Sequence, residues 1–236
     1  MNIYPENHHE SWNGFLDEKI NNEILEITEK IGHNINPEPE NVLRFMENDL
    51  SGVKVVILGQ DPYPEKGRAT GRCFEVGDLI SWNDKFRQVS LKNIVRLLHK
   101  DSRKADSYED IKKFSEIQKE IRNEEFSILP PTEIFKSWEK QGVLLLNTYF
   151  TVESGVPGSH TKIWENFSNE LLQYISKENR DITWFLWGKQ AQGRKKYIKY
   201  GNFCESRHPM MCSSKYDDDF LKSRCFRDTW DIIKWI

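Results

Sequence analysis

Three short, almost wholly apolar runs constrain the fold of this chain more than any other feature. They are Val53–Leu58, Gly142–Thr148 and Ile182–Trp187. Runs of this length that are apolar throughout are typical of strands buried on both faces of a parallel sheet. A weaker fourth candidate is Asn202–Glu205. The sequence therefore predicts a four-stranded sheet.

Segments with helical spacing of apolar residues lie around and between these runs. They are Ser11–Ile31, Glu40–Leu50, Leu91–His99, Ile163–Ile175, Lys189–Lys199 and Phe220–Trp235. Strands that alternate with helices predict a three-layer α/β fold, with a central, mainly parallel sheet flanked by helices. We expect residues 1–236 to form one domain, with a charged surface insertion at about 101–131 that carries a helix over Tyr108–Arg122.

The cysteine spacing indicates whether a metal site is expected, and the hydropathy indicates whether a membrane span is expected. Cys73, Cys204, Cys212 and Cys225 form no C-x-x-C pair, so we expect no metal site. Free thiols favour a reducing, cytoplasmic setting. No apolar run approaches the roughly 18 residues of a membrane span, and the N-terminus lacks a signal-peptide pattern, so we expect no membrane partner.

The net charge of −3 hides an uneven distribution. Residues 1–60 hold 4 Lys/Arg against 11 Asp/Glu, whereas residues 185–236 hold 11 against 6. Solvated surface charge explains this pattern, and so do opposite acidic and basic faces of one molecule. The overall charge therefore does not exclude a polyanionic partner.

Polar residues follow the predicted strands at the edge where parallel sheets bind ligands. Asp61 lies in a loop stiffened by Pro62 and Pro64, Asn147 ends the second run, and His208 comes after the fourth. A carboxylate, an amide that matches a base edge and a histidine that donates to a developing anion suit a nucleotide reaction. Each residue alone fits a turn or cap equally well.

Six segments in this order resemble family 1 uracil-DNA glycosylases. They are VKVVILGQDPYP, ATGRCFEV, SLKNI, GVLLLNT, FLWGKQAQ and His208-Pro209, within a match from Ser11 to Trp235 that omits the insertion. The resemblance implies a monomeric hydrolase that cuts the N-glycosidic bond of a damaged deoxynucleotide in DNA, without metal or cofactor. The base is rotated out of the duplex because its reactive carbon cannot be reached in the stack.

The resemblance also implies roles for individual residues. Asp61 orients the attacking water and stabilises the sugar cation, and His208 bonds the pyrimidine O2. The base is held by Gln60, by Tyr63, which excludes the thymine methyl, by Phe74, which stacks, and by Asn147, which separates uracil from cytosine. Contacts to DNA fall to Ser90, Pro209, Met210, Met211, Ser213, Ser214 and Lys215. Arg207 and the cluster Arg194–Lys196 add positive charge, unless the cluster is a solvated helix face.

Three departures from the family pattern affect these expectations. Pro64 stands where most members have histidine. Cys212 aligns with the leucine that fills the gap left by the extruded base, and Met210 or Met211 is the candidate replacement. The segment Gly77–Val89, with aromatic and basic residues, replaces a proline-rich loop that compresses DNA.

Three functions therefore stay open on the sequence. The first is uracil excision in base-excision repair. The second is excision of another pyrimidine, such as a C5-modified base in foreign DNA, which the rebuilt loops favour and Tyr63 disfavours. The third is a DNA-binding or replication-scaffold protein with weak catalysis. The insertion is either solvated decoration or a flap that contacts DNA or a partner.

Overall fold

A parallel four-stranded sheet forms the centre of the computed structural model, which describes residues 1–236. The strands of the chain are β1 (Ile35–Asn36), β2 (Val55–Gly59), β3 (Val143–Asn147), β4 (Val152–Glu153), β5 (Thr183–Trp187) and β6 (Asn202–Ser206). The central sheet has the order β3-β2-β5-β6 with all neighbours parallel, and β1 pairs with β4 in a small antiparallel sheet. The predicted α/β fold with four parallel strands is confirmed.

Helices cover both faces of this sheet. They are α1 (Glu18–Ile31), α2 (Val89–Ser102), α3 (Phe114–Arg122), α4 (Pro131–Lys140), α5 (Thr161–Glu178) and α6 (Lys189–Gly193). Val56 and Leu58 of β2 point into a core shared with α1 and α5, whereas Val55 and Ile57 point into a second core with α2 and α4. The strands are apolar throughout because neither face meets water. No helix combines the length and the apolar character that a bilayer span requires.

The helix predicted over Glu40–Leu50 is wrong. The segment instead forms short 3-10 turns at Pro39–Asn41, Arg44–Glu47 and Leu50–Gly52. Its backbone carbonyls serve the N-terminal segment: the Met46 carbonyl accepts from the His9 amide at 2.8 Å, and the Asn48 carbonyl accepts from the Trp12 indole at 2.8 Å. The bond from His9 takes the Met46 carbonyl, which a helix that ends at Leu50 would use within its own last turn.

The helix predicted over Phe220–Trp235 is also wrong. Only two 3-10 turns form there, at Phe220–Lys222 and Arg227–Thr229. The Asp219 carboxylate accepts from the Leu221 amide, and the Ser223 hydroxyl accepts from the Cys225 amide. Short polar side chains that bond nearby amides offer the backbone an alternative to a helix.

Other elements differ from the prediction in extent. The predicted helix Lys189–Lys199 is divided into α6 and a 3-10 turn at Lys195–Tyr197. The helix of segment 101–131 begins at Phe114 rather than Tyr108. The helix α4 was not predicted, although Pro131 at its first position and the buried Ile134 and Trp138 are a typical signal.

Candidate active site

A cavity of about 240 Å³ opens at the carboxyl edge of the central sheet. This volume equals that of about eight liquid water molecules, which suits a single pyrimidine ring. Register pairs Gly59 of β2 with Asn147 of β3 at its floor. The predicted site residues that line it are Gln60, Asp61, Tyr63, Phe74, Ser90, Asn147 and His208. The structure thus brings together residues from distant parts of the sequence.

Asp61 is half-buried and held by one backbone bond. The Gly158 amide donates to its Oδ2 at 2.8 Å, which leaves the other carboxylate oxygen available to a water. Burial raises the pKa of this carboxyl above its usual value, and the bond from Gly158 opposes the rise. The Pro64 carbonyl accepts from the Asn36 amide group at 2.7 Å and from the Gly155 amide at 2.9 Å. The loop that carries Asp61 is therefore fixed on its C-terminal side by two bonds to Pro64.

His208 is held in one tautomer on the opposite side. Its Nδ1 accepts from the Met210 amide at 3.2 Å, so the ring proton of the neutral imidazole is on Nε2. Burial lowers the pKa of His208, which keeps the ring neutral near pH 7. Gly188 packs against this residue so closely that a Cβ on Gly188 would lie 2.8 Å from the His208 Cβ. The site presents a neutral N–H donor in a fixed position.

Asn147 provides a buried amide at the cavity floor, where it is 5% exposed. A Cβ on Gly59 would lie 2.5 Å from the Asn147 Oδ1, so glycine at that strand end is needed for the amide to occupy its place. The amide offers one acceptor and two donors to a ligand edge.

Phe74 forms one wall of the cavity. Its backbone has a φ of +63°, in the left-handed region that few large residues adopt. Its ring lies 5.5 Å from the Trp187 ring and 6.3 Å from the His208 ring, measured between centroids. The strained turn aims an aromatic face into the site, as strain often does at functional positions.

Arg72 is a cavity residue that the sequence reasoning missed. Its guanidinium, 6% exposed, donates to Glu75 at 3.0 Å and lies 2.5 Å from Glu139 of α4. The Thr70 hydroxyl also donates to Glu75, at 2.6 Å. This network encloses the turn at Phe74. Arg72 and Glu75 lie three positions apart on either side of Phe74, and this spacing was the sequence signal from which the ion pair could have been predicted.

The remaining pocket residues differ in their surroundings. Burial raises the pKa of Tyr63, so its hydroxyl stays protonated. The Gln60 side chain is exposed, and its backbone carbonyl accepts from the Tyr149 amide at 2.9 Å. Ser90 lies in the first turn of α2, where its side chain is half-buried at the cavity wall.

The loop after His208 lies outside this cavity. Met210 and Met211 are 58% and 59% exposed, and Met210 also lines a neighbouring cavity of about 200 Å³. Pro209 is buried, and its carbonyl accepts from Asn93 at 2.6 Å and from the Cys212 thiol at 3.2 Å. Cys212 is therefore turned inward, while the two methionines face solvent.

Two further groups of predicted DNA contacts also lie away from the cavity. The Ser213 amide donates to Asp219 at 2.5 Å, and Ser214 and Lys215 are exposed. Arg207 stacks on the Tyr216 ring at 3.5 Å and donates to Asp218 at 2.8 Å.

The predicted charge cluster Arg194–Lys196 is only partly on the surface. Arg194 is 9% exposed and donates to the Tyr149 hydroxyl and to Asn169, so the expectation that it offers charge to DNA is wrong. Lys195 pairs with Glu205 at 2.6 Å. No group of three His, Cys, Asp or Glu side chains in residues 1–236 is arranged to hold a metal ion.

Comparison with known proteins relates this arrangement to one family. The signature of the Uracil DNA glycosylase superfamily matches residues 45–234. A uracil-DNA glycosylase of Borreliella burgdorferi (strain ZS7) is 32% identical over 237 residues, which cover 95% of this chain and 93% of that protein. One from Bacillus licheniformis is 33% identical over 82% of this chain and 75% of its own length.

Solved structures share the fold at lower identity. The crystal structure of mimivirus uracil-DNA glycosylase has a TM-score of 0.64 at 24% identity and covers 89% of this chain and 71% of its own. The wild-type UNG of Nitratifractor salsuginis has a TM-score of 0.65 at 21% identity, over 87% of this chain and 85% of its own. The signature and the long matched relatives establish that the chain belongs to the uracil DNA glycosylase superfamily.

Proposed function

We propose that this chain is a monofunctional uracil-DNA glycosylase that hydrolyses the N-glycosidic bond of uracil in DNA and leaves an abasic site for base-excision repair. One observation carries the proposal: a half-buried carboxylate, Asp61, and a neutral imidazole N–H, on His208, line a single base-sized cavity whose floor holds the Asn147 amide. The relatives named uracil-DNA glycosylase support the same reaction.

The reaction breaks the bond between C1′ of the sugar and N1 of the base. The bonding electron pair goes to the base, where negative charge collects on O2, and the Nε2–H of His208 stabilises it. The sugar becomes an oxocarbenium-like cation beside the Asp61 carboxylate. A water held by Asp61 adds its oxygen to C1′, and its proton passes to the carboxylate. Two opposite charges thus develop between two groups of matching polarity.

Base choice follows from hydrogen-bond complementarity at Asn147. Its Oδ1 accepts from N3–H of uracil, and its NH₂ donates to O4. Cytosine offers an acceptor and a donor in the reverse places, so one orientation of the amide cannot serve both bases. The Tyr63 ring stands against C5 and excludes the methyl group of thymine, while Phe74 stacks on the ring.

The surrounding loops bind the DNA strand. Ser90, Ser213, Ser214 and Lys215 contact phosphates, and the buried Pro209 sets the path of the loop. Met210 or Met211 occupies the gap that the extruded base leaves, because both are exposed and apolar. The enzyme acts as a monomer on DNA, and its four free thiols suit the reducing cytoplasm.

Release of base from defined oligonucleotides tests the proposal. Duplex and single-stranded substrates carry uracil, thymine, cytosine or a C5-modified cytosine, and alkali cleaves the abasic sites. Release of uracil alone supports the proposal. Release only of modified bases favours the alternative excision activity, and DNA binding without release favours a scaffold. Asp181→Asn is a matched control for Asp61→Asn, because Asp181 is an exposed carboxylate before β5, at the opposite edge of the sheet.

A further inference from the structure

Two segments that differ from the family pattern are packed together. Loop 77–88 leaves the cavity after Phe74 and returns to it at Ser90. Residues 77–88 form no helix or strand, and few hydrogen bonds join them to each other. Instead the loop is held from outside by segment 101–131, which contains α3.

Three hydrogen bonds attach the middle of the loop to this segment. The Trp82 indole donates to the Leu129 carbonyl at 2.7 Å, and Gln118 donates to the Trp82 carbonyl at 2.6 Å. The Arg122 guanidinium donates to Asn83 at 2.9 Å. Trp82 itself is only 3% exposed. The central residue of the loop is therefore bonded at both its side chain and its backbone.

An aromatic contact attaches the end of the loop. The Phe86 ring meets the Phe114 ring of α3 edge to face at 5.3 Å between centroids. The Lys92 ammonium of α2 lies 5.0 Å from the Phe86 centroid. Phe86 thus joins α3 to the first turns of the helix that carries Ser90.

The loop carries two exposed cations that have no ion pair. Lys85 and Arg87 are exposed, and neither has a carboxylate within 4.0 Å. Ile80 of the same loop is 72% exposed. Cations without partners on a loop that begins and ends at a base pocket suit the phosphates of the strand that supplies the base.

We propose that segment 101–131 is a positioning element for DNA binding. It holds loop 77–88 so that Lys85 and Arg87 meet phosphates beside the extruded nucleotide. This inference rests on the proposed function, because it assumes that a DNA strand reaches the cavity. The positioning residues are Gln118 and Arg122, which touch the loop and not the DNA base.

Steady-state kinetics and binding separate this role from a merely structural one. For Lys85→Ala/Arg87→Ala, we expect the slope of log(kcat/KM) against log(salt) to flatten by up to about 1.8, since each phosphate contact contributes about 0.9. For Gln118→Ala/Arg122→Ala, we expect KM to rise about 5-fold with kcat unchanged. We also expect the salt slope to flatten, by less than in the Lys85/Arg87 variant. Arg122→Ala alone, at an exposed site, is expected to move KM in the same direction without loss of fold.

Lys119→Ala is the matched control. Lys119 is an exposed cation of α3 without an ion pair, so its removal changes the charge and leaves the loop contacts intact. Unchanged KM and slope in the Gln118/Arg122 variants, or equal effects in Lys119→Ala, would overturn the inference. A fall in kcat at constant KM would also overturn it. Affinity for an abasic duplex, measured by fluorescence anisotropy, tests the loop independently of catalysis and so separates this inference from the proposed reaction.

Discussion

Substitution of Gly188 by alanine is expected to impair catalysis through His208 alone. The new Cβ would lie 2.8 Å from the His208 Cβ, whereas carbon atoms in contact are normally about 3.5–4.0 Å apart. The imidazole must therefore retreat by roughly 0.7–1.2 Å. A donor that has moved this far no longer meets the base oxygen at hydrogen-bond distance, and loss of one such donor costs about 100- to 1000-fold in kcat.

The same substitution affects stability by a separate route. Gly188 has a φ of +88°, which costs an L-residue about 1–2 kcal/mol. Gly193→Ala is the control, because Gly193 is exposed in α6 with no atom within 4 Å of a built Cβ. That variant is expected to keep kcat within about twofold and to gain about 0.4–1 kcal/mol.

Single-turnover kinetics with uracil-containing duplex, and thermal unfolding, measure the two effects. Adding Gly188→Ala to His208→Ala is expected to cause no further loss of rate, because both changes act through one donor. A folded Gly188→Ala protein with unchanged kcat would refute the reasoning. An additive loss in the double variant would show that Gly188→Ala lowers the rate by a route other than His208.

Three further outcomes are expected. Asp61→Asn should lower kcat by about 100- to 10,000-fold at unchanged DNA affinity, and it should raise Tm. The sign follows because the folded-state pKa is raised, so the ionised carboxylate costs stability above its ordinary pKa. Asn147→Asp should shift the ratio of uracil to cytosine release toward cytosine, and an unchanged ratio would contradict a role in reading the base edge. Glu120→Gln should lower the free energy of unfolding by about 1.5–3 kcal/mol at pH 7, the range for a hydrogen bond to a charged group. Burial raises the pKa of Glu120, but its bonds with Lys112 and His99 outweigh burial and lower that pKa to about 2. In urea titrations the deficit should persist above pH 4.5 and vanish as the pH falls through 2.

The strands and the cavity could be predicted because local and global signals agree there. Each central strand is apolar throughout, and the parallel order brings Asp61, Asn147 and His208 to one edge. The prediction from apolar spacing failed at residues 40–50 and 220–235. The spacing there is helical, but the backbone forms no continuous helix. At residues 40–50 a partner distant in sequence, the His9 amide, takes the Met46 carbonyl that a helix would need, and no local pattern reveals it. At residues 220–235 the side chains of Asp219 and Ser223 bond nearby amides instead.

The anchoring of loop 77–88 was beyond sequence reasoning for a related reason. The sequence shows the two segments separately, residues 77–89 as an aromatic and basic segment and residues 101–131 as a charged insertion. Their pairing depends on Gln118 reaching Trp82 and on Phe114 meeting Phe86, contacts between residues 28 to 36 positions apart. Side chains of these types occur on many solvated helices, so the residue types alone do not specify such contacts.

The distribution of partnered charge explains how a chain with a net charge of −3 can bind DNA. Much of the positive charge of residues 185–236 is neutralised within the protein, through pairs such as Lys195–Glu205, Arg207–Asp218 and Arg224–Asp228. The cations without a carboxylate within 4.0 Å include Lys85, Arg87, Lys189 and Lys215, and Lys189 lines the cavity next to His208. Phosphate affinity depends on such free cations near the site and not on the sum over the chain. Lys85 and Arg87 of loop 77–88 therefore add to the unpaired cations that residues 185–236 offer to DNA.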